Sequence, residues 1–258
     1  AGFIYQELHA RHNLDRVLVV CPSALRFKWS EEMLRRFGEE FDILDSRGFK
    51  RFLNRINSHG PHIKLRGICS LQSLRSEGLL ELLENISPPL DLVIIDEAHH
   101  MRNSATLSNR LGKVLNELAE TMLLLTATPI HLGNENLFQL LQILDPEEFD
   151  NFFVFDQMIE ANRPIIEADR IIRAGKSVNL KKCLEVLKLV EMGSMKDRFI
   201  QSPIYKEVLE KVMNSDGSDR TAMIEIQRGI AQLNLLGHII SRTRKREVAE
   251  NQPKRQAG

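Results

Sequence analysis

The chain has 258 residues, 43% of them hydrophobic, and its 35 Lys and Arg side chains cancel 35 Asp and Glu. That is the composition of a folded protein with a core, and it excludes both a disordered chain and one whose overall charge alone would hold a polyanion. No apolar run approaches the ~20 residues that span a bilayer, and no signal-peptide pattern opens the chain. Cys21, Cys69 and Cys183 are odd in number, far apart and without C-x-x-C or His-paired spacing, so neither a disulfide framework nor a zinc site is indicated, and they suit a reducing cytoplasm.

Charge is uneven along the sequence. Residues 1–66 carry 12 basic and 8 acidic side chains, 133–170 carry 2 and 9, and 241–258 carry 6 and 2. Any nucleic-acid surface is therefore local.

The opening Ala1–Leu8 reads as a helix already under way, so the chain is expected to begin inside a domain. Arg16–Cys21 is a continuous β-branched strand, ended by Pro22-Ser23 as a turn that starts a helix. Trp29, Met33 and Phe37 then fall four apart on one helical face, with Gly38 as the stop. A short strand is expected at Phe41–Leu44, a helix from Phe49 to Ile56, a strand at Gly67–Ser70 and a helix at Leu79–Ile86. Leu92–Asp96 is the next strand, an apolar run that ends in two carboxylates, Asp96-Glu97. The helix after it carries Leu107, Leu111, Leu115 and Leu118 on its apolar stripe, and a last strand at Met122–Leu125 runs into Thr126-Ala127-Thr128-Pro129. Strands alternating with amphipathic helices predict a parallel α/β sheet covered by helices on both faces. Beyond Gly133 the period is helical throughout: Leu137, Leu140, Leu141 and Leu144; Leu180, Cys183, Leu184 and Leu187; and a long final helix through Ile226, Ile230, Leu233 and Ile240. The expected organisation is an α/β domain over 1–132, an all-helical subdomain over 133–240 and a basic segment over 241–258.

Buried parallel strands deliver polar groups to the carboxyl edge of such a sheet, where ligands bind. Here that edge receives Asp96-Glu97-Ala98-His99, Thr126-Ala127-Thr128-Pro129, and Pro22-Ser23 with Lys28-Trp29. An Asp directly off a strand can hold hydrated Mg²⁺ beside a nucleotide, and the next Glu can orient or deprotonate water.

In these motifs the sequence resembles the SWI/SNF-type ATPases of helicase superfamily 2, and among them the bacterial RapA-like branch. Asp96-Glu97-Ala98-His99 matches their DEAH form of the Walker B motif, and Arg102-Asn103 the basic-Asn pair downstream. Leu125–Pro129 matches LTATP, Val19–Leu25 with Trp29 and Glu32 resembles motif Ia, and Cys69–Leu74 resembles motif Ib. Asn136–Phe149 is similar to the family's helix leading into a Leu-Asp-Pro turn, and Arg242–Val248 to the basic segment leaving the first motor lobe. The resemblance implies a RecA-like fold with a helical protrusion, with ATP and Mg²⁺ as cofactors. It implies double-stranded DNA as partner together with RNA polymerase or another DNA-bound protein, no membrane partner, and the cytoplasm of a bacterial or archaeal cell.

By the same resemblance, Asp96 holds Mg²⁺ through water, Glu97 activates the hydrolytic water, and His99, Thr126, Ala127 and Thr128 couple nucleotide state to the nucleic-acid surface. Pro22, Ser23, Lys28, Trp29, Ser70 and Gln72 line that surface. Burial of Trp29 against the sheet is the alternative for that residue. One departure is clear, because the 258 residues contain no G-x-x-x-x-G-K-[ST] phosphate loop. Gly175-Lys176-Ser177 imitates its end, but Arg170 stands where the first Gly is required. The chain is therefore expected to be a piece of the first motor lobe, without ATPase activity of its own. The alternatives are a degenerate lobe serving as a scaffold, and a strand-separating helicase.

Overall fold

The structure, a computed structural model, describes residues 1–60, 62–127, 133–174, 178–217 and 219–241. They form two compact units that divide between Phe152 and Phe153.

The first unit is built on five parallel strands: β1 (Arg16–Cys21), β2 (Asp42–Leu44), β3 (Leu65–Ser70), β4 (Leu90–Ile95) and β5 (Ala119–Leu124), in the order β2-β3-β1-β4-β5. Helices cover both faces, as the alternation of strand and helix predicts. Because side chains alternate along a strand, Val17, Val19 and Cys21 of β1 with Leu92 and Ile94 of β4 enter one apolar layer. Helices α1 (Gly2–His12) and α2 (Arg26–Phe37) close that layer with Tyr5 and Met33. Leu18 and Val20 of β1 with Val93 and Ile95 of β4 enter the other layer, covered by α3 (Ser46–His59), the short α4 (Leu71–Leu74), α5 (Glu77–Ile86) and α6 (Leu107–Leu118). Gly38 ends α2 in the left-handed conformation, the stop that its sequence position predicts.

Helix α7 (Gly133–Leu144) also belongs to the first unit, since Leu140 and Ile143 are buried in the same layer as Met101, Leu111 and Leu115. Gly112 makes this approach possible, because a Cβ there would stand 2.9 Å from Met101 Sδ and 3.2 Å from Ile143 Cδ1.

The second unit is helical: α8 (Phe152–Ile172, its first residue in the first unit), α9 (Leu180–Lys188), α10 (Lys196–Ile200), α11 (Pro203–Asn214) and α12 (Arg220–Gln232). One expectation is corrected here. The helix predicted to run through Ile240 stops at Gln232. Buried Asn162 of α8 accepts the Leu235 N–H at 2.9 Å, and the Asn234 side chain accepts the Leu236 N–H at 3.0 Å. Side-chain oxygens thus take donors that a continuing helix would give to carbonyls four residues back. Gly175–Ser177 and Arg242–Val248 lie outside the described residues. All three cysteines are free and buried.

Candidate nucleotide and nucleic-acid site

The chain leaves β1 through α2 toward β2 on one side of the sheet, and leaves β4 through α6 toward β5 on the other. These two helices lie on opposite faces, so the carboxyl ends of β1 and β4 flank the point where the winding reverses, the place at which open α/β sheets bind ligands. Asp96 stands at that point. Its N–H donates to Val20 O at 2.8 Å, extending the β1–β4 ladder by one rung.

The Asp96 carboxylate is held at both oxygens. Trp29 Nε1 donates to Oδ2 at 2.8 Å, and the Glu97 N–H donates to Oδ1 at 2.9 Å. The Trp29 ring packs against the α1/α2 layer as the burial reading proposes, yet its polar edge reaches the acid. No sequence signal tied these two residues, 67 positions apart. The carboxylate opens on a cleft of about 310 Å³ lined by Ala1, Gly2, Lys28, Trp29, Glu32 and Leu125 among others. Burial and the negative charge of Asp96 push the Cys21 thiol up to about 12, so Cys21 is neutral.

Glu97 adopts φ 53°, ψ 45°, a left-handed conformation that ordinary residues avoid at a cost of roughly 1–2 kcal/mol. The bend turns the chain off the strand, and Ala98 N–H then donates to Leu125 O at 2.9 Å while Leu125 N–H donates to Ile95 O at 2.8 Å. The acidic motif and the Leu125-Thr126-Ala127 segment are therefore tied by main-chain bonds at one edge. Thr126 is half-buried and Ala127 exposed, whereas Thr128 lies outside the described residues. His99 Nδ1 is 3.1 Å from Glu97 Oε2, close enough for an ion pair but without hydrogen-bond alignment. The His99 and His100 rings stand 4.3 Å apart. Burial and the neighbouring His99 hold His100 below the usual imidazole range, against the pull of Glu97.

Of the residues expected to face nucleic acid, Ser23 and Gln72 are exposed and meet, Ser23 Oγ donating to Gln72 Oε1 at 2.9 Å. Lys28 is exposed and Pro22 half-buried. Ser70 is only 2% exposed, and its hydroxyl accepts the Ser73 N–H at 3.0 Å as the cap of α4. It shapes the Gln72 turn from beneath.

Mg²⁺ keeps several waters and usually takes one or two carboxylates plus substrate phosphates. Among the described residues no group of three or more His, Cys, Asp or Glu is arranged to hold a metal. One restrained carboxylate facing a cleft fits a hydrated Mg²⁺ shared with a nucleotide, and does not fit an all-protein cage.

The family model of the SNF2-related domain matches residues 2–255. RNA polymerase-associated protein RapA of Yersinia pestis (strain Pestoides F) is 33% identical over 227 residues, which is 86% of this chain and 22% of that protein. RapA of Haemophilus influenzae (strain ATCC 51907 / DSM 11121 / KW20 / Rd) is 30% identical over 256 residues, 96% of this chain and 26% of that protein. The chain thus spans about a quarter of the length of these relatives. Among solved structures, the Sulfolobus solfataricus SWI2/SNF2 ATPase core in complex with dsDNA matches with a TM-score of 0.42 and 15% identity, over 90% of this chain and 62% of that one. With the family match running almost end to end, the chain belongs to the SNF2-related domain family, the SWI/SNF-type ATPases of helicase superfamily 2, and is similar to its RapA-like members.

Proposed function

We propose that the chain is the larger part of the first RecA-like lobe of an ATP-driven double-stranded-DNA translocase that acts on a DNA-bound protein, with RNA polymerase as the partner its RapA relatives suggest by name. The observation that carries this reading is the single edge on which Asp96-Glu97 and the Leu125-Thr126 strand end are locked together, at the reversal point between β1 and β4.

Each residue has a role in it. Asp96 holds the waters of Mg²⁺, which when bound with ATP neutralises phosphate charge. Glu97 orients the attacking water and accepts its proton. His99, beside Glu97, senses whether that carboxylate is engaged, and the Ala98–Leu125 bond passes the change to Thr126 and Thr128. Ser23, Gln72 and Lys28 contact the DNA backbone, which gives a grip independent of sequence and suits a motor that steps along any duplex. Pro22 shapes that loop and Ser70 supports it.

Phosphoryl transfer depends on cradling the phosphates and on a transition-state cation. The 258 residues include no phosphate loop, and the second lobe that supplies the arginine finger in this family is not among them. The chain by itself is therefore expected to show no ATPase activity above background, with or without DNA. DNA-stimulated hydrolysis by this chain that disappears in Glu97→Gln would refute that. For an intact protein joining this lobe to a phosphate loop and second lobe, DNA-dependent hydrolysis and triplex displacement without strand separation are expected. Unwinding of a plain duplex would favour the strand-separating alternative.

A further inference from the structure

Trp29 is the single tryptophan of the chain and sits in the first turns of α2, half-buried, its ring against the α1/α2 layer. An indole N–H is a donor only, and it is neutral. Directed at Asp96 Oδ2 from 2.8 Å, it fixes that oxygen while the Glu97 N–H fixes the other. A Lys or Arg in the same place would also orient the carboxylate, but would cancel the charge a cation needs. A neutral donor orients without cancelling, as the outer partners of metal ligands do. Trp29 also borders the same cleft as Asp96, Lys28 and Glu32. Toward its amino end, α2 adjoins the turn in which Ser23 is bonded to Gln72.

The geometry points to Trp29 as a positioning residue: its indole N–H sets the Asp96 carboxylate for a hydrated divalent cation and ties that setting, through α2, to the Ser23–Gln72 edge. This rests on the reading of Asp96 given above. It gives Trp29 a task distinct from both DNA contact and core filling.

Two measurements test it, one of them independent of catalysis. In the 258-residue chain all tryptophan emission comes from Trp29. Excitation moves charge from the pyrrole to the benzene side of indole, so an anion at Nε1 stabilises the excited state, and Asp96→Asn is expected to shift the emission to shorter wavelength. Identical emission maxima in wild type and Asp96→Asn would overturn the inference whatever the enzyme does. In the intact ATPase containing this lobe, Trp29→Phe keeps an aromatic ring and removes the donor. The Mg²⁺ concentration for half-maximal hydrolysis is expected to rise about tenfold, the scale on which outer partners of metal ligands act. An equal loss of activity at every Mg²⁺ concentration would mark a merely structural role and overturn the inference. An intact wild-type protein that hydrolyses no ATP, with the Asp96→Asn emission shift present, would instead overturn the nucleotide-site reading and leave the Trp29–Asp96 contact supported.

Discussion

Strand β4 carries an aspartate near each end, and the two are held in opposite ways. Asp91, near the amino end, accepts the Asp15 and Arg16 N–H groups at 2.6 and 2.8 Å and pairs with the Arg16 guanidinium at 2.8 Å. Burial raises its carboxyl, but these bonds outweigh burial and hold it below the usual carboxylate range. Among the described residues Asp96 receives only neutral donors, and it faces a cleft. One carboxylate is tied into the structure, and the other is the one to which the proposed function gives a chemical role. Because the Asp91 pKa is depressed in the folded state, its contribution is present above the unfolded value of about 3.9 and is lost as pH falls through the folded value. Asp91→Ala should cost about 3 kcal/mol at neutral pH, since it removes the acceptor shared by two backbone N–H groups and a part-buried guanidinium. In urea titrations the gap to wild type should narrow below about pH 4. A gap of constant size across that range would contradict the assignment. The sequence distinguished Asp96 by its place at the end of an apolar run, but gave no sign that Asp91 would find Arg16 across the sheet.

Elements were legible where their own run of residues shows how they are buried. β4 and β1 were read within a residue or two of their observed bounds because both are buried on two faces and so are continuously apolar. β5 begins earlier than its apolar run, at Ala119 rather than Met122. It lies at the sheet edge, where Glu120 is exposed and polarity is tolerated. The end of α12 was not legible, since Ile226, Ile230, Leu233 and Ile240 keep helical spacing past the break. What stops the helix is Asn162, 73 positions from the Leu235 N–H that it accepts. Its Nδ2 also donates to Asn234 Oδ1 at 2.6 Å, a polar knot within apolar surroundings. Asn162→Ala should destabilise the second unit by roughly 2–3 kcal/mol, leaving a buried N–H and an amide oxygen without these partners. Denaturant unfolding followed by circular dichroism measures it, and a change below about 0.5 kcal/mol would mean the knot is dispensable.

For the whole molecule, the sequence conveyed the motif edge and the α/β class, while the line between compact units falls beyond the change of period at Gly133. Periodicity marks α7 as a helix but is silent about which core takes its apolar face, and Leu140 and Ile143 join the layer beneath the sheet. The candidate site was legible to the extent that its residues sit in short contiguous motifs. The Trp29–Asp96 bond and the cleft beside it arise only when the fold brings a side chain of α2 to the residue that follows β4.

The buried thiols give the two units separate timekeepers. Burial raises Cys21 and Cys69 to about 12 and Cys183 to about 11, so none carries appreciable thiolate at neutral pH. Alkylation then waits for opening, and the first two cysteines report on the sheet unit while the third reports on the helical one. Pulse labelling read by peptide mass is expected to give no rapid modification of native protein and two distinct slow rates, Cys21 and Cys69 sharing one and Cys183 taking the other. A single common rate for all three would mean that the whole chain breathes as one cooperative body.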